Sequence, residues 1–286
     1  MMGCYAQKRA SRFLSLNATH FLHVQRSAMR QQQIKRAEVL SPSQIRHLLR
    51  VTEATSRHPE RDAVILLLGL GCGMRITEIA QVTVADFYFS SGELRREISL
   101  RATITKGCRQ RCIFPSSPKL IAALHRYVAF RGEHDMGTAF ERTEYHGLNP
   151  HLPLVLSRKG YPYALSLKRR EDAQGKWTEY WAADSLQAYV TGLYRAAGTN
   201  GTSHSGRRTF ATRLLSNGAT IEQVQLLLGH ESIRPNEPVY RCVARRHGPS
   251  DGNGDLTGGN FSFARFCRNP RATARYLALA FIAPLP

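Results

Sequence analysis

The chain has 286 residues, with 40 Lys and Arg against 21 Asp and Glu and a formal charge of +19 at pH 7. A surplus of this size favours a polyanionic partner such as DNA or RNA, through phosphate neutralisation and counterion release, with a ribosome-like tail or plain solubility as alternatives. The longest apolar run, Ala63 to Leu70, is too short to span a bilayer, which excludes a membrane-spanning helix and predicts no membrane partner.

The basic residues are concentrated at the two ends of the chain. Residues 1–37 hold seven Lys or Arg and no acid, and residues 241–286 hold seven Arg against two Asp. The sequence therefore predicts a flexible basic arm over 1–37, a globular domain over 38–240 and an irregular basic tail over 241–286. The arm's acid-free composition also resembles an organelle transit peptide.

The six cysteines form no disulfide framework and no paired CxxC motif. Cys108 and Cys112 stand alone, so a metal site there would lack half its ligands. We expect buried or strand thiols in a reducing compartment, and no metal.

Helix signals begin the globular part. Ser41-Pro42-Ser43-Gln44 has the hydroxyl cap, early proline and following glutamine of a helix start. A second helix begins at Pro59 and ends in the glycine cluster at 69–73, where the backbone must turn sharply before Arg75. Thr77 is expected to cap a further short helix.

The pattern then changes to strands. Ile98 to Leu100 and Thr103 to Thr105 alternate, and Arg111 to Phe114 returns, which predicts an antiparallel hairpin with Lys106 near its tip. A helix from Ser117-Pro118 follows it.

The remaining elements alternate between strand and helix. Pro153 to Leu156 favours a short strand, and Tyr163 to Trp181 reads as a second hairpin around a polar turn. Helices are expected from Asp184, over Arg207 to Asn217 and over Thr220 to Leu228. The predicted fold class is mainly α with small antiparallel β-hairpins.

The stretch from Ser203 to Tyr240 is dense in groups that handle phosphate. Arginine grips two phosphate oxygens in a planar fork, histidine exchanges protons near neutrality, and tyrosine becomes a nucleophile among positive neighbours. Taken singly, each residue has an ordinary interpretation, such as a surface arginine, a solvated lysine or a structural histidine. Their order along the chain is what indicates a shared site.

That order resembles the tyrosine recombinase family, also called phage integrases, over about residues 38–240. Four motifs carry the resemblance, in the family's order. They are Gly71-Cys72-Gly73-Met74-Arg75-Ile76-Thr77-Glu78-Ile79, Thr105-Lys106-Gly107, His204-Ser205-Gly206-Arg207-Arg208-Thr209-Phe210-Ala211-Thr212 and Leu227-Leu228-Gly229-His230.

The resemblance implies that a set of five residues activates a DNA phosphate and that a tyrosine attacks it. The attack leaves a 3'-phosphotyrosyl link and a free 5'-hydroxyl, which Lys106 protonates, and a hydroxyl from another strand reverses the step. The set is Arg75, Lys106, His204, Arg207 and His230, with Tyr240 as the nucleophile.

The resemblance also implies the setting of the reaction. The partner would be double-stranded DNA, bound by a homotetramer without a metal or nucleotide cofactor, in the cytoplasm at the nucleoid. Arg109, Arg111 and Arg208 are expected to contact the DNA.

Two departures from the family pattern lead to further expectations. Only residues 1–37 precede the catalytic part, so the family's N-terminal DNA clamp is expected to be missing or reduced to the basic arm. Tyr240 lies one residue further from His230 than the family's usual nucleophile does. Val239 occupies the usual position of that nucleophile. The loss of pattern at that point suggests the hypothesis that residues 239–286 are translated out of the native frame.

Three functions remain open at this stage. The chain is an active site-specific recombinase, a catalytically impaired DNA-binding remnant, or an enzyme that relaxes DNA like a type IB topoisomerase.

Overall fold

The computed structural model describes residues 37–105, 110–171, 175 and 177–229. The predicted tail lies outside these residues, and so does the predicted arm apart from Ala37. Four of the predicted site residues also lie outside them: Lys106, Arg109, His230 and Tyr240. In the described part the fold is mainly α with two small antiparallel hairpins, which confirms the predicted class. None of its helices is long and apolar enough to cross a bilayer.

The helices and strands are as follows in chain order. The helices are α1 (Pro42–Thr55), α2 (Pro59–Cys72), α3 (Ile76–Ile79), α4 (Val84–Phe87), α5 (Pro118–Glu133), α6 (Asp184–Ala196), α7 (Ser205–Ser216) and α8 (Ile221–Leu228). The strands are β1 (Ile98–Leu100), β2 (Arg111–Ile113), β3 (Ser166–Glu171) and β4 (Trp177–Ala182).

Helix α2 is the centre of the core. From Ala63 to Cys72 it is apolar on all sides, and a helix with that pattern is stable only when other elements cover every face. Helices α1, α5 and α7 pack around it, and Val64, Leu68 and Leu70 are completely buried.

Capping boxes define the start of two helices that the sequence predicts. The Ser41 hydroxyl accepts a hydrogen bond from the Gln44 backbone at 3.2 Å, and the Gln44 side chain accepts one from the Ser41 backbone at 2.8 Å. Thr220 and Gln223 form the same box at the start of α8. Each box satisfies two backbone donors that a helix start leaves open, so these two predictions are confirmed.

The first hairpin is shorter than the sequence predicts. Strands β1 and β2 pair antiparallel, with Leu100 opposite Arg111. The predicted strand Thr103 to Thr105 is wrong, because Ala102–Ile104 forms a 3-10 turn in which the Thr105 backbone donates to the Ala102 carbonyl at 3.2 Å. Three alternating residues fit either structure, so the sequence pattern by itself does not distinguish a strand from a turn here.

The predicted strand Pro153 to Leu156 is also absent from the described residues, where only one isolated bridge joins Pro153 to Thr83. The carbonyls of Pro153 and Leu154 instead accept hydrogen bonds from the buried Arg131 guanidinium, at 3.1 and 2.9 Å. A side chain therefore satisfies the acceptors that a neighbouring strand would use.

The second predicted hairpin is confirmed. Strands β3 and β4 pair antiparallel, with Leu167 opposite Trp181 and Arg169 opposite Glu179. Both strands lie largely exposed to solvent.

Helices α2 and α7 cross at a pair of glycines. A β-carbon on Gly206 would lie 3.1 Å from the carbonyl carbon of Gly69 and 3.3 Å from the hydroxyl of Tyr194. The missing side chains therefore let the two backbones approach closely. This crossing brings the start of α7, with His204 and Arg207, beside the end of α2.

We expect Gly206→Ala to destabilise the protein by about 1–3 kcal/mol, because the added methyl overpacks this crossing. Gly192→Ala is the matched control, since Gly192 is also helical but nothing lies within 4 Å of an added β-carbon. The control should stabilise by about 0.5–1 kcal/mol through higher helix propensity. Urea unfolding measures both, and a Gly206→Ala variant as stable as the parent would contradict the close crossing.

Candidate active site

The chain turns sharply between α2 and α3. Gly73 has a left-handed backbone with φ of 60°, and a β-carbon there would lie 2.5 Å from Cδ1 of Phe210. Both the conformation and the space therefore require glycine. The turn directs the next residues, including Arg75, toward the start of α7.

Arg75 begins helix α3, in the capping position that the sequence assigned to Thr77. The Glu78 carboxylate accepts the Arg75 backbone N–H at 2.8 Å through Oε2 and the Arg75 guanidinium at 2.8 Å through Oε1. Glu78 is completely buried, whereas the Arg75 side chain is 20% exposed. The carboxylate therefore holds both the backbone and the guanidinium of an arginine whose side chain still reaches the surface.

Arg111 lies inside the protein. Its Nη2 bonds Glu78 Oε2 at 2.5 Å, its Nη1 donates to the Leu227 carbonyl at 2.8 Å, and its side chain is 3% exposed. The residue stands on the buried side of β2 together with Ile113. The sequence placed Arg111 among the DNA contacts. That contact stays a prediction, and the position found for its guanidinium is internal.

Arg207 lies in the first turn of α7 and binds two backbone carbonyls. Its Nη1 donates to the Gly73 carbonyl at 2.6 Å and its Nη2 to the Leu228 carbonyl at 2.5 Å. Helix α7 begins two residues earlier than predicted, so His204 takes the N-cap position, where it is exposed. Residues three apart in a helical turn share a face, so His204 and Arg207 are neighbours there.

Glu78 is the residue whose role the sequence did not predict, since it entered only as one member of the motif from Gly71 to Ile79. Burial by itself raises the pKa of this carboxyl, but the charge of Arg111 and its hydrogen bond, with Arg207 and Arg75, lower it below the ordinary value of 4.5. Glu78 therefore stays ionised among three guanidiniums. Its position three residues after Arg75, from which a carboxylate can accept the backbone N–H of the N-cap residue, was the available signal.

Arg208, the other predicted DNA contact in the described part, secures the start of the domain. Its Nη1 donates to the Ala37 carbonyl, and the side chain is half-buried. The neighbouring Thr209 hydroxyl accepts the Leu40 backbone N–H at 3.0 Å. The DNA contact of Arg208 stays a prediction.

The thiol beside this site is inert. Burial raises the pKa of Cys72 to about 12, against an opposing effect of Arg111. The thiol is therefore protonated near neutral pH, in line with the expected buried thiol. Neither Cys72 nor Cys112 forms a disulfide bond.

The motif order and the arginine cluster define a class of protein, and comparison with known families agrees with it. Residues 38–246 match the model of the Phage integrase family, and the chain belongs to that family.

Several relatives are tyrosine recombinases. The chain is 27% identical over 210 residues to tyrosine recombinase XerD of Xanthomonas campestris pv. campestris, covering 73% of this chain and 56% of the relative. It is 32% identical over 173 residues to tyrosine recombinase XerC of Myxococcus xanthus, covering 60% and 47%. The chain thus spans about half the length of these relatives.

A solved structure with a similar fold is the crystal structure of XerA recombinase. It shows 20% sequence identity and a TM-score of 0.49, over 75% of this chain and 67% of that one.

We expect Glu78→Gln to lower the free energy of unfolding by about 3–5 kcal/mol at pH 7, because it leaves buried guanidinium groups without their counterion. The folded-state pKa of Glu78 is lowered, so its stabilisation is complete above the unfolded value near 4.5 and is lost as the pH falls through the folded value. The difference between variant and parent should therefore shrink below pH 4.5.

Urea titrations at several pH values measure this difference. Glu53→Gln is the control, because Glu53 forms an exposed ion pair with Arg126 at 3.4 Å. This substitution should lower the free energy of unfolding by only about 0–1 kcal/mol. A Glu78→Gln penalty that stays constant down to pH 3 would contradict the ionised carboxylate.

Proposed function

We propose that the chain cleaves and rejoins DNA at specific sites through a covalent tyrosyl intermediate. One observation carries the proposal. Arg75 and Arg207, which are far apart in sequence, both lie close to the buried carboxylate of Glu78, which accepts the Arg75 guanidinium at 2.8 Å, and Arg207 binds the carbonyl of Gly73, two residues before Arg75. A pair of arginines fixed in this way suits one phosphate group.

The chemistry follows from the charge of that phosphate. Attack on phosphorus forms a pentavalent transition state with more negative charge on its non-bridging oxygens, and fixed guanidinium groups stabilise it without reorganising. His204, at the N-terminus of the 12-residue helix α7, adds a hydrogen-bonding ring beside a helix end that favours anions.

The remaining roles rest on the family motifs. We assign Tyr240 as the nucleophile, Lys106 as the acid that protonates the leaving 5'-oxygen, and His230 as a further phosphate ligand. The phosphotyrosyl ester keeps the energy of the broken phosphodiester, so rejoining needs neither a metal nor a nucleotide.

The proposal includes the partners and the setting. The substrate is double-stranded DNA, which the charge of +19 favours, and strand exchange would take place in a homotetramer that holds two duplexes. Arg109 and Arg208 are the proposed basic contacts with the duplex, and the proposed location is the nucleoid in the cytoplasm. Residues 38–240 would act as the catalytic domain.

Trapping of a covalent adduct tests the proposal. The probe is a pool of nicked duplexes with a randomised central segment, from which the short fragment that ends in the 5'-hydroxyl diffuses away after cleavage. We expect the parent chain to form an adduct that survives denaturing electrophoresis, and Tyr240→Phe to form none. Tyr161→Phe is the control, because Tyr161 is exposed and outside the site, and it should react like the parent.

The other outcomes identify the alternatives. DNA binding without an adduct indicates a catalytically impaired remnant and contradicts the proposal. An adduct together with relaxation of supercoiled plasmid, but no strand exchange between duplexes, indicates an activity like that of a type IB topoisomerase. An adduct that persists in Tyr240→Phe would contradict the assigned nucleophile.

A further inference from the structure

Arg111 lies beside the proposed catalytic arginines, and only 3% of its side chain is exposed. We propose that Arg111 is a positioning residue, which binds the inner oxygen of Glu78 and thereby holds Arg75 in the orientation that phosphate binding requires. The effect of Arg111 on DNA cleavage rests on the proposed function, whereas its contact with Glu78 does not depend on that function.

The two oxygens of Glu78 divide between two arginines. Oε1 accepts the Arg75 guanidinium at 2.8 Å, and Oε2 accepts both the Arg75 backbone N–H at 2.8 Å and the Arg111 guanidinium at 2.5 Å. Arg111 therefore fixes the side of the carboxylate that faces the core. Because a carboxylate is planar, fixing one oxygen also sets the direction of the other, which holds Arg75.

Arg111 also secures the end of helix α8. The last carbonyls of a helix lack intrahelical partners, and two arginines provide them here. Arg111 donates to the Leu227 carbonyl at 2.8 Å, and Arg207 donates to that of Leu228. A β-carbon on Gly229 would lie 3.0 Å from Cδ of Arg111, so the stem of Arg111 packs against this helix end as well.

The same guanidinium approaches the glycine turn. Nη2 of Arg111 lies 3.4 Å from the Gly73 carbonyl, which also accepts Arg207. One side chain on β2 thus contacts the turn before Arg75, the carboxylate of α3 and the end of α8. The first two of these segments lie in the motif that contains Arg75, and the third carries the motif Leu227-Leu228-Gly229-His230.

The charges facing Glu78 determine what removal of Arg111 does. Glu78 faces Arg75 on its own helix, Arg111 on β2 and Arg207 on α7, and burial opposes its ionisation. Arg111 is the largest of the influences that keep the pKa of Glu78 low. Without it, burial prevails more easily, and a protonated Glu78 becomes a weaker and less directional partner for Arg75.

The variants for the test are Arg111→Met, which keeps the stem without the charge, and Arg111→Lys, which restores a charge without the fork. Arg101→Met is the control, because Arg101 pairs with Asp86 at 3.2 Å on the surface, with 48% of its side chain exposed. A carbon-13 NMR titration of the Glu78 carboxyl, assigned by its loss in Glu78→Gln, measures the contact directly.

We expect Arg111→Met to raise the titration midpoint of Glu78 by about 1–3 pH units, Arg111→Lys to raise it less, and Arg101→Met to leave it unchanged. On duplexes selected by the parent chain, adduct formation by Arg111→Met should slow about tenfold to a hundredfold. The acidic limb of the pH–rate profile of this variant should move to higher pH. Its Kd for DNA should stay within about twofold of the parent's, because a buried positioning residue neutralises no phosphate.

Two results would overturn the inference. One is a Glu78 titration that Arg111→Met leaves unchanged. The other is a weakened Kd with a normal rate for bound DNA, which would make Arg111 a DNA contact. If the parent forms no adduct, the proposed function fails, but the NMR titration still decides whether Arg111 controls Glu78. If Arg111→Met does not fold, Arg111→Lys gives the same comparison.

Discussion

A single buried carboxylate sets the geometry of the candidate site. Glu78 is completely enclosed, yet it is ionised, because guanidinium groups from β2, α3 and α7 surround it. Among the described residues at this centre, three positive charges face one negative charge. The surplus gives the centre a positive charge that a DNA phosphate complements, so the interaction that stabilises the fold here also prepares the site for its proposed substrate.

Close backbone approaches make that arrangement possible. Gly206 meets Gly69 where α2 and α7 cross, and Gly73 adopts a left-handed conformation against Phe210. The crossing brings Arg207 to the end of α2, and the turn exposes the Gly73 carbonyl that Arg207 binds. Because a side chain at these glycines would collide with a neighbour, the position of the proposed catalytic arginines depends on residues that carry no chemistry themselves.

Local signals in the sequence predicted much of this structure. The capping box at Ser41 and the glycine cluster at the end of α2 depend on a few neighbouring residues, so one segment suffices to recognise them. The order of the motifs indicated the family, which the match over residues 38–246 confirms.

Long-range contacts explain what the sequence did not reveal. The buried position of Arg111 depends on contacts with Glu78 and Leu227, which are distant in sequence, so the local pattern around Arg111 did not predict it. The Pro153 segment is not a strand because Arg131 takes its carbonyls. Neither partner could be identified from spacing along the chain.

The central claim is that Arg75 and Arg207 neutralise the charge of the phosphate at the cleaved position. Adduct formation would be measured for Arg75→Ala and Arg207→Ala on a selected duplex, with either the natural phosphodiester or an uncharged methylphosphonate at the cleaved position. We expect losses of about 10²–10³-fold on the phosphodiester and substantial recovery on the methylphosphonate, because a neutral group needs no neutralising arginine. Equal losses on both substrates would contradict a role of these arginines in neutralising the phosphate.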